Sequence, residues 1–195
     1  MLVTFAFLAH PHLHHVIRRL ALEIHRTHHI GLHAGLLPPH ISLKQPFQIA
    51  DLPELETFFD RFAASIAPFD LTLTHVSGAA SPNEMSGRGV IWLEVQESLQ
   101  LRGLHERLNT ELAHDFRGTE AAYDGATYHF HATVALVQEP PRYHQVLEDY
   151  GEMRVDITYQ PEHLAMFYYD DDTFAPGTYL TYKVLPLDRG PGSRR

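Results

Sequence analysis

Residues Leu2 to Leu8 are apolar on both sides of a two-residue alternation: Val3, Phe5 and Phe7 face one way, and Ala6 joins Thr4 on the other. A run of that kind predicts an interior strand. Leu13, Ile17, Leu20 and Ile24 then step by four, three and four, the period of an amphipathic helix, which Gly31 and Gly35 should break. Next comes Pro38-Pro39-His40-Ile41-Ser42-Leu43-Lys44-Gln45-Pro46-Phe47, read as a strand with Ile41 and Leu43 toward the core and His40, Ser42 and Lys44 on the other face. Asp51, with Glu54 three residues on, resembles a capping box and opens a helix whose face is Leu55, Phe58, Phe62 and Ile66. Phe69, Leu71 and Leu73 alternate with Asp70, Thr72 and Thr74, a strand to Val76 with one wet face.

Gly78 to Gly89, rich in Gly, Ser and Ala, reads as a loop at the midpoint of the chain. Beyond it the order repeats. Val90 to Val95 is a strand, and Leu101, Leu104, Leu108 and Leu112 mark a helix. A loop around Gly118 to Gly125 leads to a strand over Tyr128 to Val137; Pro140-Pro141 starts a helix carrying Val146 and Leu147, and Arg154 to Tyr159 is a strand. Each half therefore runs strand, helix, histidine strand, helix, strand. Val3 to His40 spans 37 positions and Val90 to His131 spans 41. Strands Leu164–Tyr169 and Tyr179–Leu185, joined through Asp170-Asp171-Asp172 and Pro176-Gly177, close the chain.

The pattern predicts an α+β domain over 1–187 with two similar lobes, each a small antiparallel sheet with helices outside. The pseudo-repeat halves run about 1–77 and 90–160, closing strands occupy 164–187, and 188–195 is a flexible tail. At 195 residues the chain is long enough for one good core. Fifteen basic residues against twenty-four acidic ones give a formal charge of −9, which argues against a module that grips long nucleic acid by neutralising phosphates, though not against a short phosphorylated end held in a cleft. Cysteine is absent, so disulfides, thiolate zinc sites and a cysteine nucleophile are excluded. No membrane-crossing or leader segment is read; the expectation is a cytoplasmic monomer, with no protein partner inferable.

The two histidine strands carry the candidate chemistry. In Tyr128-His129-Phe130-His131-Ala132-Thr133-Val134-Ala135-Leu136 the alternation sets His129, His131 and Thr133 on one face and Phe130, Val134 and Leu136 toward the core. The bare His-x-Ser/Thr pattern means little in a chain with 16 histidines, and it also occurs at His25-Arg26-Thr27 and His75-Val76-Ser77. Position in the repeated order selects His40 and His131. Two facing imidazoles suit in-line attack at phosphorus, one accepting a proton from the nucleophile and the other giving one to the leaving oxygen. The hydroxyls of Ser42 and Thr133, two residues along, would donate to the non-bridging oxygens, and Lys44 would add positive charge at the rim. The scheme calls for no metal and no cofactor.

At these residues the chain resembles the two-histidine (2H) phosphoesterase superfamily, which includes 2′-5′ RNA ligase-like proteins and cyclic phosphodiesterases. Its pattern is two His-x-Thr/Ser motifs on equivalent strands of a bilobal, duplicated fold. The resemblance covers Leu2 to about Leu187. It implies that His40 and His131 are the catalytic pair and that Ser42 and Thr133 bind the phosphate. The proline common before the second histidine is Phe130 here, and serine stands for the usual threonine at position 42. The implied activity is hydrolysis of 2′,3′-cyclic phosphates on RNA ends or nucleotides. Alternatives are 2′-5′ RNA ligation by the same groups, a non-catalytic RNA-end or nucleotide binding module, and a histidine-rich metal-binding protein built on His10, His12, His14 and His15 with His25, His28, His29 and His33. For that cluster an exposed helix start is the favoured reading. Phe167, Tyr168, Tyr169, Tyr179 and Tyr182 are read first as strand residues, with stacking of a base at the cleft by one of them as the alternative.

Overall fold

Strand β1 (Leu2–Leu8) is buried from Val3 to Phe7, as its two-sided apolar pattern requires, and both of its edges are paired. On one edge lie β2 (His40–Ser42) and β3 (Phe47–Gln48); on the other lies β8 (His163–Tyr169), which is followed outward by β9 (Leu180–Pro186). The second sheet runs β6 (His131–Val137), β5 (Gly89–Gln96), β4 (Leu71–Ala80), β7 (Arg154–Tyr159). All pairings are antiparallel. The described residues also form four α-helices: α1 (Pro11–His28), α2 (Leu52–Ala64), α3 (Leu99–Asp115) and α4 (Pro140–Tyr150). The computed structural model describes residues 1–80, 89–137, 140–170 and 179–187. Most of the predicted midpoint loop, Asp171-Asp172, Pro176-Gly177 and the predicted tail lie outside them.

The repeated order of elements does not divide the chain into two self-contained lobes. β4, from the first half, lies between β5 and β7 in the second sheet, and β8 and β9 occupy the matching places beside β1 in the first. The exchange satisfies β1, whose second edge would otherwise present unpaired amides and carbonyls inside the protein. It also merges the sheets over one apolar core that runs from Val3 and Phe5 through Phe58 and Leu73 to Leu93 and Val146. Within it Phe5 meets Phe47 and Phe59 edge to face, at ring separations of 5.8 and 4.8 Å. Such pairs add about 0.5–1.5 kcal/mol each beyond area burial.

Helix ends follow the local chemistry, with some shifts. α1 begins with Pro11, where a missing N–H costs nothing, and His10 accepts the His12 N–H at 3.3 Å. It ends on His29 in the left-handed region (φ 55°), two residues before the glycine that was expected to break it; the His29 N–H bonds to the His25 carbonyl. Asp51 caps α2 by accepting the Glu54 N–H at 2.9 Å. Ile66, assigned to the face of α2, is buried just beyond its end. Gly89 lets α4 sit close on the second sheet, since a Cβ there would stand 2.3 Å from the Tyr143 ring. Among the described residues no helix is long and apolar enough to cross a membrane.

Two strand expectations require correction. β2 is only three residues long, and the chain turns after Ser42. β6 begins at His131, so Tyr128 to Phe130 precede it. A bulge opposite Ile91–Trp92 leaves Val134 and Ala135 both buried and resets the alternation, so Leu136 is half-exposed while Val137 is buried.

Candidate active site at the seam between two edge strands

β2 ends the first sheet and β6 ends the second, and these two edge strands pack against each other. Each carries its histidine in the same local arrangement. Pro38-Pro39 holds the chain extended into β2, where His40 pairs with Leu8, Ile41 with Phe7 and Ser42 with Ala6. Ile41 is fully buried, which turns the neighbouring His40 and Ser42 to the opposite face. His40 Nδ1 lies 2.9 Å from the Pro38 carbonyl, and His131 Nδ1 lies 3.0 Å from the His129 carbonyl. A carbonyl only accepts, so each imidazole carries its hydrogen on Nδ1 and keeps the Nε2 lone pair for other work. Thr133 follows His131 on the same face, across the ladder from Trp92, and Glu94 stands opposite His131.

The surroundings shift both imidazoles toward the neutral form. Burial lowers the His40 pKa to about 4; the bond to the Pro38 carbonyl opposes this, and the charges of His131 and Arg18 add to it. That His40 feels the charge of His131 is the electrostatic sign of their proximity. His131 is also lowered by burial, with the His129 carbonyl opposing, His129 lowering further and the Glu94 carboxylate raising. The Phe167 ring meets His40 edge-on at 4.7 Å, and the Trp92 ring lies 5.1 Å from His131.

Of the residues expected at the site, His40, Ser42, His131 and Thr133 stand on these two strands with half-buried side chains. Lys44 does not join them. Its strand has ended, the chain carries it inward, and it is 1% exposed. Its ammonium donates to Asn109 Oδ1 at 2.5 Å and to the Asp124 carboxylate. A cation removed from water needs such partners, so Lys44 is not a rim charge for an incoming phosphate. His129 is exposed, and its Nε2 pairs with Glu94 at 3.1 Å. Of the rival motifs, His25 bonds the Ile30 carbonyl near the end of α1 and His75 lies beside Glu152 on β4, neither on a seam strand. His12, His14 and His15 are exposed along the start of α1, and among the described residues no three His, Asp or Glu groups converge to hold a metal ion.

Sequence reasoning missed Trp92, Glu94 and Arg18. Arg18 is fixed by the Ala34 carbonyl at 3.3 Å, the Gly35 carbonyl at 3.1 Å and the Leu37 carbonyl. Trp92 Nε1 donates to Glu94 at 2.9 Å. Alternation in β5 already sets Trp92 and Glu94 opposite the buried Ile91, Leu93 and Val95. What was missing was the knowledge that β5 pairs with β6. Of the aromatic residues on the closing strands, Phe167 touches His40, whereas Tyr168 donates to Asp170 and Tyr182 donates to Glu56.

Two antiparallel sheets with helices outside, meeting along edge strands β2 and β6, define an α+β fold. The chain belongs to the 2′-5′ RNA ligase superfamily, whose family model matches residues 9–173. Among curated proteins, one from Geobacillus thermodenitrificans, named "Putative phosphoesterase", is 33% identical over 82 residues, 41% of this chain and 44% of that protein. A Bacillus pumilus protein of the same name is 31% identical over 38% of this chain and 42% of its own length. The chain thus matches less than half the length of these relatives. The fold recurs in E. coli LigT complexed with 3′-AMP (TM-score 0.56, 20% identity, covering 96% and 98% of the two chains). It recurs also in Usb1 of Kluyveromyces marxianus (TM-score 0.54, 13% identity, 95% and 97%) and in the TT0787 protein of Thermus thermophilus (0.53, 15%, 96% and 98%).

Proposed function

We propose that this protein is a phosphodiester hydrolase that opens 2′,3′-cyclic phosphates on RNA ends or nucleotides, with His40 and His131 as general base and general acid. The observation that carries this reading is the matched pair of imidazoles, each locked through Nδ1 to the carbonyl two residues before it, on edge strands that face each other. One neutral Nε2 takes a proton from water as its oxygen attacks phosphorus. The bond from phosphorus to one ribose oxygen breaks, and the other imidazole, protonated, gives its proton to that oxygen. The product is a ribose monophosphate. Ser42 and Thr133 donate hydrogen bonds to the non-bridging oxygens, where charge grows in the transition state. Support for a nucleotide substrate comes from the family and from the 3′-AMP bound by LigT, a protein of the same fold.

Trp92 gives the seam an aromatic ring beside His131 and across from Thr133. In this reading the base of the substrate stacks there, an interaction worth about 1–3 kcal/mol. Trp92 is the chain's one tryptophan, so 3′-AMP or 2′-AMP should quench its fluorescence on binding. Unchanged emission at ligand concentrations that inhibit turnover would remove Trp92 from the site.

The chemistry uses imidazoles alone, so hydrolysis of 2′,3′-cyclic AMP should persist in excess chelator and be lost in both His40→Ala and His131→Ala. Full activity in either variant would overturn the assignment. Ligation is the same chemistry with a 5′-hydroxyl in place of water. It would be read as joining of RNA halves that end in a cyclic phosphate and a 5′-hydroxyl.

A further inference from the structure

The two histidines belong to different sheets, and no strand ladder joins β2 to β6 among the described residues. A buried polar cluster does join them. It connects residues 42–45, which leave β2, to residues 124–128, which lead into β6. Tyr128 Oη donates to the Ser42 carbonyl at 3.0 Å. Lys44 donates to the Asp124 carboxylate, whose other oxygen accepts the Gln45 N–H at 3.1 Å. His105 of α3 bridges the same two segments: its Nδ1 donates to the Leu43 carbonyl at 2.7 Å, and its Nε2 accepts the Gly125 N–H at 3.0 Å. The Tyr128 ring stacks on His105 at 4.3 Å with 17° between planes. Lys44, His105 and Tyr128 are 1%, 0% and 3% exposed.

Four backbone groups, at Ser42, Leu43, Gln45 and Gly125, are therefore held by hydrogen bonds from one cluster, two of them next to or within the first His-x-Ser motif. Stability alone does not call for this arrangement, because an apolar filling of a buried ion pair is often as stable. Position does call for it. Apolar surfaces slide, whereas hydrogen bonds to backbone atoms work only over a few tenths of an ångström. We propose that Lys44, Asp124, His105 and Tyr128 form a clamp that sets the spacing of His40 and His131, as positioning residues for the reaction above. That function rests on the proposed hydrolysis; the mechanical claim does not.

The test separates the two. Tyr128→Phe removes one hydroxyl and keeps the ring stack, so it remains folded; Lys44→Met with Asp124→Leu replaces the ion pair by apolar groups. NMR titration of the His40 and His131 rings reads their spacing without any substrate. His40 is faced by His131 and Arg18, and His131 by His129 and Glu94, none of which these variants touch. A loosened clamp separates the imidazoles and admits water, so the His40 titration should rise by about half a pH unit or more. With 2′,3′-cyclic AMP, kcat should fall about tenfold with KM nearly unchanged, the signature of lost alignment. Titrations of both rings unmoved in Tyr128→Phe, whatever happens to its melting temperature, would overturn the clamp. Moved titrations in a protein that hydrolyses no cyclic phosphate would uphold the clamp and overturn the function.

Discussion

The β2 and β6 sides of the seam use one device in opposite surroundings. Both imidazoles hand their Nδ1 hydrogen to the carbonyl two residues upstream. Yet His40 sits against the Phe167 ring with the Arg18 guanidinium as its nearby charge, while His131 sits beside Trp92 with the Glu94 carboxylate across the ladder. A cation disfavours a proton and a carboxylate favours one. Burial is the largest cause of the downward shift on both sides; Arg18 adds to it at His40, whereas Glu94 opposes it at His131. On the proposed function, we infer from this difference that His40 serves as the base and His131 as the acid. An acid–base mechanism with two histidines needs such a difference, since one must hold a proton while the other lacks it.

The comparison breaks most sharply if either histidine proves dispensable. His40→Ala and His131→Ala should each lower kcat/KM for a 2′,3′-cyclic nucleotide by about 10²–10⁴-fold, read by initial rates. A second test uses stability. His40 binds its proton at about pH 4 when folded, against 6.5 as the ordinary value. Between those two pH values the unfolded chain therefore binds more protons than the folded one, and stability falls as pH falls. Burial of neutral His40 should cost about 3 kcal/mol across this window. In His40→Asn the acid slope of the urea midpoint should flatten.

The hydroxyls come next. Ser42→Ala and Thr133→Val should each reduce kcat by about ten- to a hundredfold, the worth of a hydrogen bond to a charged oxygen, with the protein otherwise as stable as before. The smallest effect isolates the asymmetry itself. Glu94→Gln keeps an oxygen for the Trp92 N–H but removes the charge that favours protonated His131, so the His131 titration should move to lower pH while that of His40 stays in place. The fall of kcat/KM on the alkaline side, where the acid loses its proton, should shift to lower pH with it. An unchanged alkaline limb would show that Glu94 does not distinguish the two sides.

Much of this was legible in the chain. The faces of α1 and α2, the buried run of β1 and the outward turn of His40, Ser42, His131 and Thr133 all follow from periodicity, because burial on one side of a regular element is a local property. The order of elements told the two seam histidines from the others that fit the same pattern. Lys44 shows where this reasoning ends. Strand alternation set it beside Ser42, but the strand stops one residue after Ile41, and an acceptor 80 positions away draws the ammonium inside. His105 took a buried place on α3 with the expected leucines for the same reason: both of its nitrogens find backbone partners from distant segments.

The sequence by itself determined which way His40, Ser42, His131 and Thr133 turn on their strands, through local alternation and the two prolines before His40. Only the tertiary structure decided which strands share a sheet, that β4 and β8 exchange lobes, that Trp92 and Glu94 stand across from Thr133 and His131, and that Lys44 works inside the protein. The physical reason is one of range. Periodicity is set by neighbours three or four residues apart, whereas pairing and charge burial are settled by whichever distant segment can satisfy a polar group once water has gone.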